Sequence, residues 1–260
     1  MIRTGIGGWT YPEWRGGTFY PRGLRQADEL SYAARNLSAI EINGTYYRLQ
    51  KPETFAKWRS AVPDGFVFAV KGSRYVTNRK VLAEAAEAVE RFFAQGIAEL
   101  GDALGPVLWQ LDLRKQFDPD DIAAFFALLP AEIEGIALRH AIAAGHESFA
   151  CKEFVDLARH HRVAISWTDD PERARIDDRT APFAYARMRR ARSDRKMGYG
   201  PKALGEIADM AKAWEAGDIP AGHAPLSDRK PATARDVFVF FINGAKEKAP
   251  AAAMALSERL

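Results

Sequence analysis

The sequence predicts an α/β protein folded as one (β/α)8 barrel of the TIM type, a single domain spanning residues 1–260. Three observations predict it. Eight apolar segments of strand character recur along the chain, segments of helical period lie between most of them, and no low-complexity linker or break in composition divides the sequence. A barrel of this kind takes about 250 residues. An open doubly wound sheet is the structural alternative.

The first strand is Arg3–Gly8, and Ala27–Leu37 carries a helical period behind it. The second, Ala39–Ile42, is apolar apart from Glu41 and is followed by a helix over Glu53–Ala61. Phe66–Val70 is the third. Behind it "RKVLAEAAEAVERFFAQGIAELG", rich in Ala, Leu and Glu and closing at Gly101, predicts one long helix. Val107–Leu111 leads to a helix over Pro119–Leu129, and Gly135–Leu138 to one over Glu147–His160. The sixth strand, Val163–Ser166, runs into "TDDPERARIDDRTAP", which has no helical period. Phe183–Arg187 precedes a helix over Pro201–Ala216, with proline at a favoured first helical position. Asp236–Ile242 and a helix over Ala249–Arg259 complete the series.

The chain is 47% hydrophobic and 27% charged, ordinary for a soluble globular protein, and its net charge of +3 is too mild to single out a nucleic-acid binder. The lone Cys151, placed in a predicted helix, excludes an internal disulfide and suits a reducing compartment. "MIRTGIGGW" has no apolar h-region, and no run approaches the roughly 18 apolar residues of a membrane span. These features lead us to expect a cytoplasmic protein with no membrane contact. Nothing in the sequence points to an oligomeric state.

In a parallel barrel the functional face lies at the carboxyl ends of the strands. Trp9, Tyr11 and Trp14 follow the first strand, and Glu41, Asn43, Tyr46, Tyr47 and Arg48 the second. Lys71 and Arg74 follow the third, Gln110 the fourth, Arg139 and His140 the fifth, Trp167 and Asp169 the sixth. Arg187, with "RRARSDRK" behind it, follows the seventh, and Asn243 the eighth. Lys71, Arg74, Arg139 and Arg187 give this mouth a positive field suited to phosphate or carboxylate. The aromatic rings offer flat faces for a sugar or a base. "GYG" at Gly198–Gly200 opens a helix behind the seventh strand, a common phosphate position in barrels. Structural roles fit several of these residues as well: a rim ion pair from Glu41 to Lys71 or Arg139, a solvated face for the Arg189–Lys196 run, tyrosines that plug the barrel top.

"TGIGGWT" lacks the third glycine of a dinucleotide fingerprint, and no Walker or GxSxG motif occurs. As metal ligands the predicted mouth offers Glu41, His140 and Asp169, too few for a dedicated two-metal centre. No resident cofactor is expected, although one Mg²⁺ held partly by substrate oxygens is compatible with these residues.

The blocks "GIGGWTYPEWRGGTFYP", "EINGTYYRL", "FVFAVKGSRYVT", "LGPVLWQL" and "VFVFFINGAKEKAP" resemble the YecE-like family, a bacterial and archaeal group labelled a domain of unknown function. The resemblance runs from Ile6 to the C-terminal helix and implies a TIM-type barrel with no established reaction. It places the family's characteristic polar residues on Trp9, Trp14, Glu41, Asn43, Tyr47, Arg48, Lys71, Arg74, Gln110, Arg139, His140, Arg187 and Asn243. This chain departs from the pattern at Asn78, where the family usually has histidine, and at Ala137, where it has glutamate. Arg189 replaces a further histidine, Asp112-Leu113 a double proline, and Ile242 an asparagine.

Three functions are compatible with this reading. The first is an isomerase, epimerase or lyase acting on a small phosphorylated or carboxylated polyol, with Glu41 as general base and Lys71 as partner of a developing enediolate. Trp9, Trp14, Asn43, Tyr47, Arg48, Arg74, Gln110, Arg139, His140, Arg187 and Asn243 would then surround the anionic substrate. The second is a nucleic-acid-binding or processing protein, with arginines on phosphates and aromatic rings on bases. The third is a non-catalytic binding or interaction protein.

Overall fold

The computed structural model describes residues 1–227 and 235–260. Nine strands join one parallel sheet: β1 Ile2–Gly7, β2 Ala39–Ile42, β3 Val67–Lys71, β4 Leu104–Gln110, β5 His140–Ala143, β6 Ala164–Ile165, β7 Trp167–Thr168, β8 Phe183–Met188 and β9 Asp236–Phe241. Their order is β6-β5-β4-β3-β2-β1-β9-β8-β7. The two outermost members are consecutive in the chain, separated only by Ser166. The sheet therefore nearly closes on itself as eight staves, with β6 and β7 together forming the sixth.

The helices are α1 Glu29–Asn36, α2 Gly44–Tyr47, α3 Pro52–Ser60, α4 Arg74–Thr77, α5 Ala86–Phe93, α6 Pro119–Ala127, α7 Lys152–His160, α8 Pro201–Ala216 and α9 Ala249–Ser257. Local chemistry sets their ends. The Asp118 carboxylate accepts from the backbone N–H groups of Asp120 and Asp121 and caps α6, whose first residue is a proline. Proline also opens α8, which closes at the left-handed Gly217. The stretch 169–182 forms no helix, as its sequence predicts.

Other expectations need correction. The long helix over 79–101 is three pieces: a 3₁₀ turn at Leu82–Glu84, α5, and a 3₁₀ segment Ile97–Ala103 entered through the left-handed Gly96. The helix over Glu147–His160 is likewise a 3₁₀ turn, Glu147–Phe149, followed by α7, with Cys151 at the position before α7 rather than inside it.

The fifth strand is the correction with consequences. Ile136–Ala137 pairs with Glu132–Ile133 in a separate antiparallel hairpin, turned by Glu134 and Gly135, both at positive φ (48° and 79°). The barrel strand is β5, four residues later. Its alanines are poor strand formers, and it exists because β4 and β6 supply ladders on both sides.

Arg139 therefore precedes the fifth stave and His140 begins it, so both lie toward the end of the barrel opposite the predicted mouth. Arg139 donates to Asp236 Oδ2 at 2.9 Å, at the first residue of β9. The His140 Nδ1 accepts from Trp109 Nε1 at 3.2 Å, and its Nε2 lies 2.8 Å from the Pro130 carbonyl. Burial holds this imidazole below its ordinary value, so it is neutral, with its proton on the nitrogen facing Pro130.

The strands separate two apolar layers by the period of two. Ile40, Phe68, Val70, Val107, Trp109, Ile142 and Val239 face the helices. Ala39, Val67, Ala69, Leu108, Ala141, Ala164, Tyr185, Phe238 and Phe240 fill the lumen. No helix among the described residues is long and apolar enough to cross a membrane.

Candidate functional site

The lumen parity that buries Ala39, Ala69, Leu108 and Tyr185 continues one step further on each strand and turns polar. Glu41 stands two residues beyond Ala39, Lys71 two beyond Ala69, Gln110 two beyond Leu108 and Arg187 two beyond Tyr185. These four side chains form the top layer of the lumen, at the carboxyl ends of their strands.

Glu41 is 0% exposed. Arg187 grips it with two donors, Nη2 to Oε1 at 2.9 Å and Nε to Oε2 at 3.1 Å, and the Tyr185 hydroxyl donates to Oε2 at 2.8 Å. The remaining arm of Arg187 donates from Nη1 to Gln110 Oε1 at 2.7 Å. Burial alone would push the Glu41 carboxyl up. Arg187, Lys71 and the hydrogen bonds override burial and hold it below the usual carboxylate range. Burial beside this carboxylate raises Tyr185 well above its ordinary value, so it stays a donor.

Lys71 is 8% exposed, and among the described residues its Nζ has neither a hydrogen bond nor an ion pair. It lies over the Tyr46 ring, 4.2 Å from the centroid. Thr45 locks this contact by donating from its hydroxyl to the Lys71 carbonyl at 2.7 Å. The Tyr46 hydroxyl in turn reaches Asn78 Oδ1 at 3.3 Å. Burial, reinforced by Arg187, lowers Lys71 to about 8 against the opposing pull of Glu41, and Arg189 and Arg173 add to the lowering.

Beside Arg187 a small cavity of about 10 Å³, room for one water, is lined by Ala143, Gly145, Ser166, Thr168, Arg173 and Arg189. Asp170 Oδ2 accepts from both Arg173 Nε and Arg189 Nε at 3.0 Å. Asp169 is raised by burial. It accepts from the Arg189 backbone N–H at 2.6 Å and from the Tyr199 hydroxyl at 2.8 Å. The cavity thus has three guanidiniums around it, held in place by Glu41 and Asp170.

The other expected residues divide by place. The Asn43 amide lies over Gly7, where an added Cβ would come within 3.1 Å of it. Asn243, with its amide oriented to satisfy its neighbours, accepts from Arg189 Nη2 at 3.2 Å. Tyr47 (59% exposed), Arg48 and Arg74 form the outer lip. Trp9 is half-buried against Trp58, with ring centroids 5.2 Å apart. Trp14 is fully buried, its Nε1 donating to the Lys246 carbonyl at 2.7 Å, so it packs the core instead of facing the mouth. Among the described residues no group of three or more His, Cys, Asp or Glu is placed to hold a metal ion.

Sequence reasoning missed Tyr185, Thr45 and Arg173. Tyr185 was detectable, because it shares a strand face with Arg187 two residues on. Arg173 sits in a stretch without period and gave no signal.

Fold and site together define a parallel α/β barrel with a buried, cation-rich layer at the carboxyl ends of its strands. The chain belongs to the DUF72 family, described as "Protein of unknown function DUF72", whose sequence profile matches residues 3–260. It is 28% identical over 144 residues to the UPF0759 protein YecE of Escherichia coli K12, an alignment covering 54% of this chain and 49% of that protein. The match thus spans about half the length of the curated relative. The fold is similar to that of a DUF72 family protein from Thermotoga maritima MSB8, with a TM-score of 0.76, 20% identity, and 99% and 98% of the two chains covered. A DUF72 family protein from Enterococcus faecalis V583 gives a TM-score of 0.74 at 17% identity, covering 100% of this chain and 95% of the other.

Proposed function

We propose that the mouth binds a small organic anion carrying phosphate or carboxylate, and that the protein is an enzyme of the isomerase, epimerase or lyase kind. The observation that carries this reading is Lys71, a buried ammonium that makes no hydrogen bond or ion pair to an acid among the described residues, in a layer whose carboxylates already serve the arginines. A cation without a direct ion pair in a poorly solvated site favours an incoming anion. Arg173, Arg187 and Arg189 hold the anionic group, and Lys71 stabilises the charge that develops beside a carbonyl. Glu41, expected as general base, is the member least suited to proton transfer, since both its oxygens are occupied and it is sealed from solvent. Its role is to orient Arg187.

A thermal-shift panel of sugar phosphates, small carboxylates and short single-stranded oligonucleotides, with and without Mg²⁺, tests this. A ligand at 100 times its Kd stabilises by about 2.7 kcal/mol, a rise of roughly 5–10 °C for a chain of this size. We expect that shift from small phosphates or carboxylates and its loss in Lys71→Met. Silence from every small anion would end the reading.

One observation favours a second reading. A groove between the loops after β7 and β8 and the start of α8 is lined by Arg173, Arg175, Arg190, Arg192, Arg195 and Lys202, against Asp169, Asp170 and Glu206. Those cations suit an extended polyanion such as nucleic acid. Its signature in the same panel is a shift confined to oligonucleotides that fades steeply with salt.

A further inference from the structure

We propose that Lys71 is a covalent nucleophile: its Nζ condenses with the carbonyl of an anionic aldehyde or ketone to form a Schiff base, while the guanidiniums around the neighbouring cavity hold the anion. This deepens the anion-binding reading above and rests on it.

Four observations converge on it. Lys71 ends β3, so its backbone is fixed by the β3–β4 ladder and by the Thr45 hydroxyl on its carbonyl. The side chain is buried yet has no acceptor among the described residues to hold its protons. The Tyr46 face, itself tethered to Asn78, fixes Nζ from one side. The surroundings are cationic: Arg187 is in the same layer, with Arg189 and Arg173 beside it. An amine desolvated among fixed cations sheds its proton near neutrality and becomes nucleophilic, and Lys71 is lowered to about 8 for these reasons.

The chemistry balances without any redox partner. The lone pair of the neutral amine forms a C–N bond to the carbonyl carbon, and the C=O π pair moves to oxygen, which takes a proton. The amine nitrogen of this carbinolamine loses one proton. A second proton on the hydroxyl lets it leave as water, and the nitrogen lone pair closes C=N. Amine, carbonyl and one net proton give an iminium and water. The iminium then acidifies the adjacent carbon: its C–H proton passes to water, the C–H pair forms C=C, and the C=N π pair returns to nitrogen, so a neutral enamine replaces the enediolate above.

The test uses the intact chain, sodium borohydride as hydride donor, and two probes, pyruvate and dihydroxyacetone phosphate, read by intact mass and peptide mapping. The expected result is one reduced adduct on the Lys71 peptide, suppressed by inorganic phosphate and absent from Lys71→Arg. Labelling at Lys71 should rise about tenfold from pH 7 to pH 9 and then level, while ordinary lysines continue to climb toward pH 10 and beyond. Because labelling is read on the unaltered chain, a variant that fails to fold does not spoil the result. Adducts spread evenly over surface lysines would overturn the proposal. A thermal shift with dihydroxyacetone phosphate but no adduct at Lys71 would also overturn it and leave the anion-binding reading intact. Neither adduct nor shift with any small anion would overturn both.

Discussion

Glu41 and Lys71 stand near the ends of adjacent strands in the same polar layer, yet the fold treats them oppositely. Glu41 has three donors on two oxygens, so its charge is held in place. Breaking such a buried pair from one side costs about 3–5 kcal/mol, because the partner remains charged. We expect Glu41→Gln to lose stability of that order, read as a fall in urea midpoint at unchanged slope. Its folded value lies below its unfolded one, so its stabilisation is present above ordinary carboxylate pH and lost as pH falls through the folded value. The variant should lack that acid-dependent loss. Lys71 is lowered too, but here the charged form is the one that the fold disfavours. Its folded value, about 8, lies below an unfolded value near 10.5, so the unfolded chain binds the extra proton between them. Stability therefore rises with pH across that window. Lys71→Met should be more stable than the parent by about 1–3 kcal/mol at pH 7, a gap that narrows by pH 10. Both residues were legible from sequence, since a charged side chain ending an apolar strand demands a partner. Trp14, Arg139 and His140 were misread because residue type alone does not tell a core indole or a barrel-bottom ion pair from a ligand contact.

At the scale of elements, the layer depends on how closely β3 and β4 approach where they end. An added Cβ at Gly72 would lie 2.3 Å from the buried Trp109 ring. The Gly72 N–H also donates to the Leu108 carbonyl at 2.8 Å, so the backbone cannot retreat without losing a ladder bond. Gly72→Ala should cost about 1–3 kcal/mol as overpacking and displace Lys71. Chemical denaturation reads the first effect, and loss of the ligand-induced thermal shift reads the second. Strands β1 to β4, β8 and β9 were legible because β-branched and aromatic residues mark them. Strand β5 was not: its Ala-rich sequence has no strand signature of its own, whereas the nearby Ile136–Leu138 run has one and turns into a hairpin. The split of the 79–101 segment was hidden because its composition favours helix throughout.

At the scale of the whole molecule, the barrel has two charged ends with different tasks. One joins Arg139, Arg3 and the chain's amino group to Asp236, and the other carries the Lys71 layer. The count of staves was legible, because alternation of strand and helix is a local pattern. How the ring closes was not, since pairing between residues 142 and 165 on one side and 168 and 187 on the other is non-local. That closure is narrow. Only two register pairs join β6 to β5 and two join β7 to β8, against five between β1 and β9 and six between β8 and β9. The sixth stave should therefore breathe before the others, and amide hydrogen exchange should be fastest, among barrel strands, at Ile165 to Thr168. The cavity lined by Ser166, Thr168, Arg173, Arg187 and Arg189 straddles this seam. An occupant would rivet the seam shut, so exchange at four amides would report occupancy even for a ligand that is never turned over.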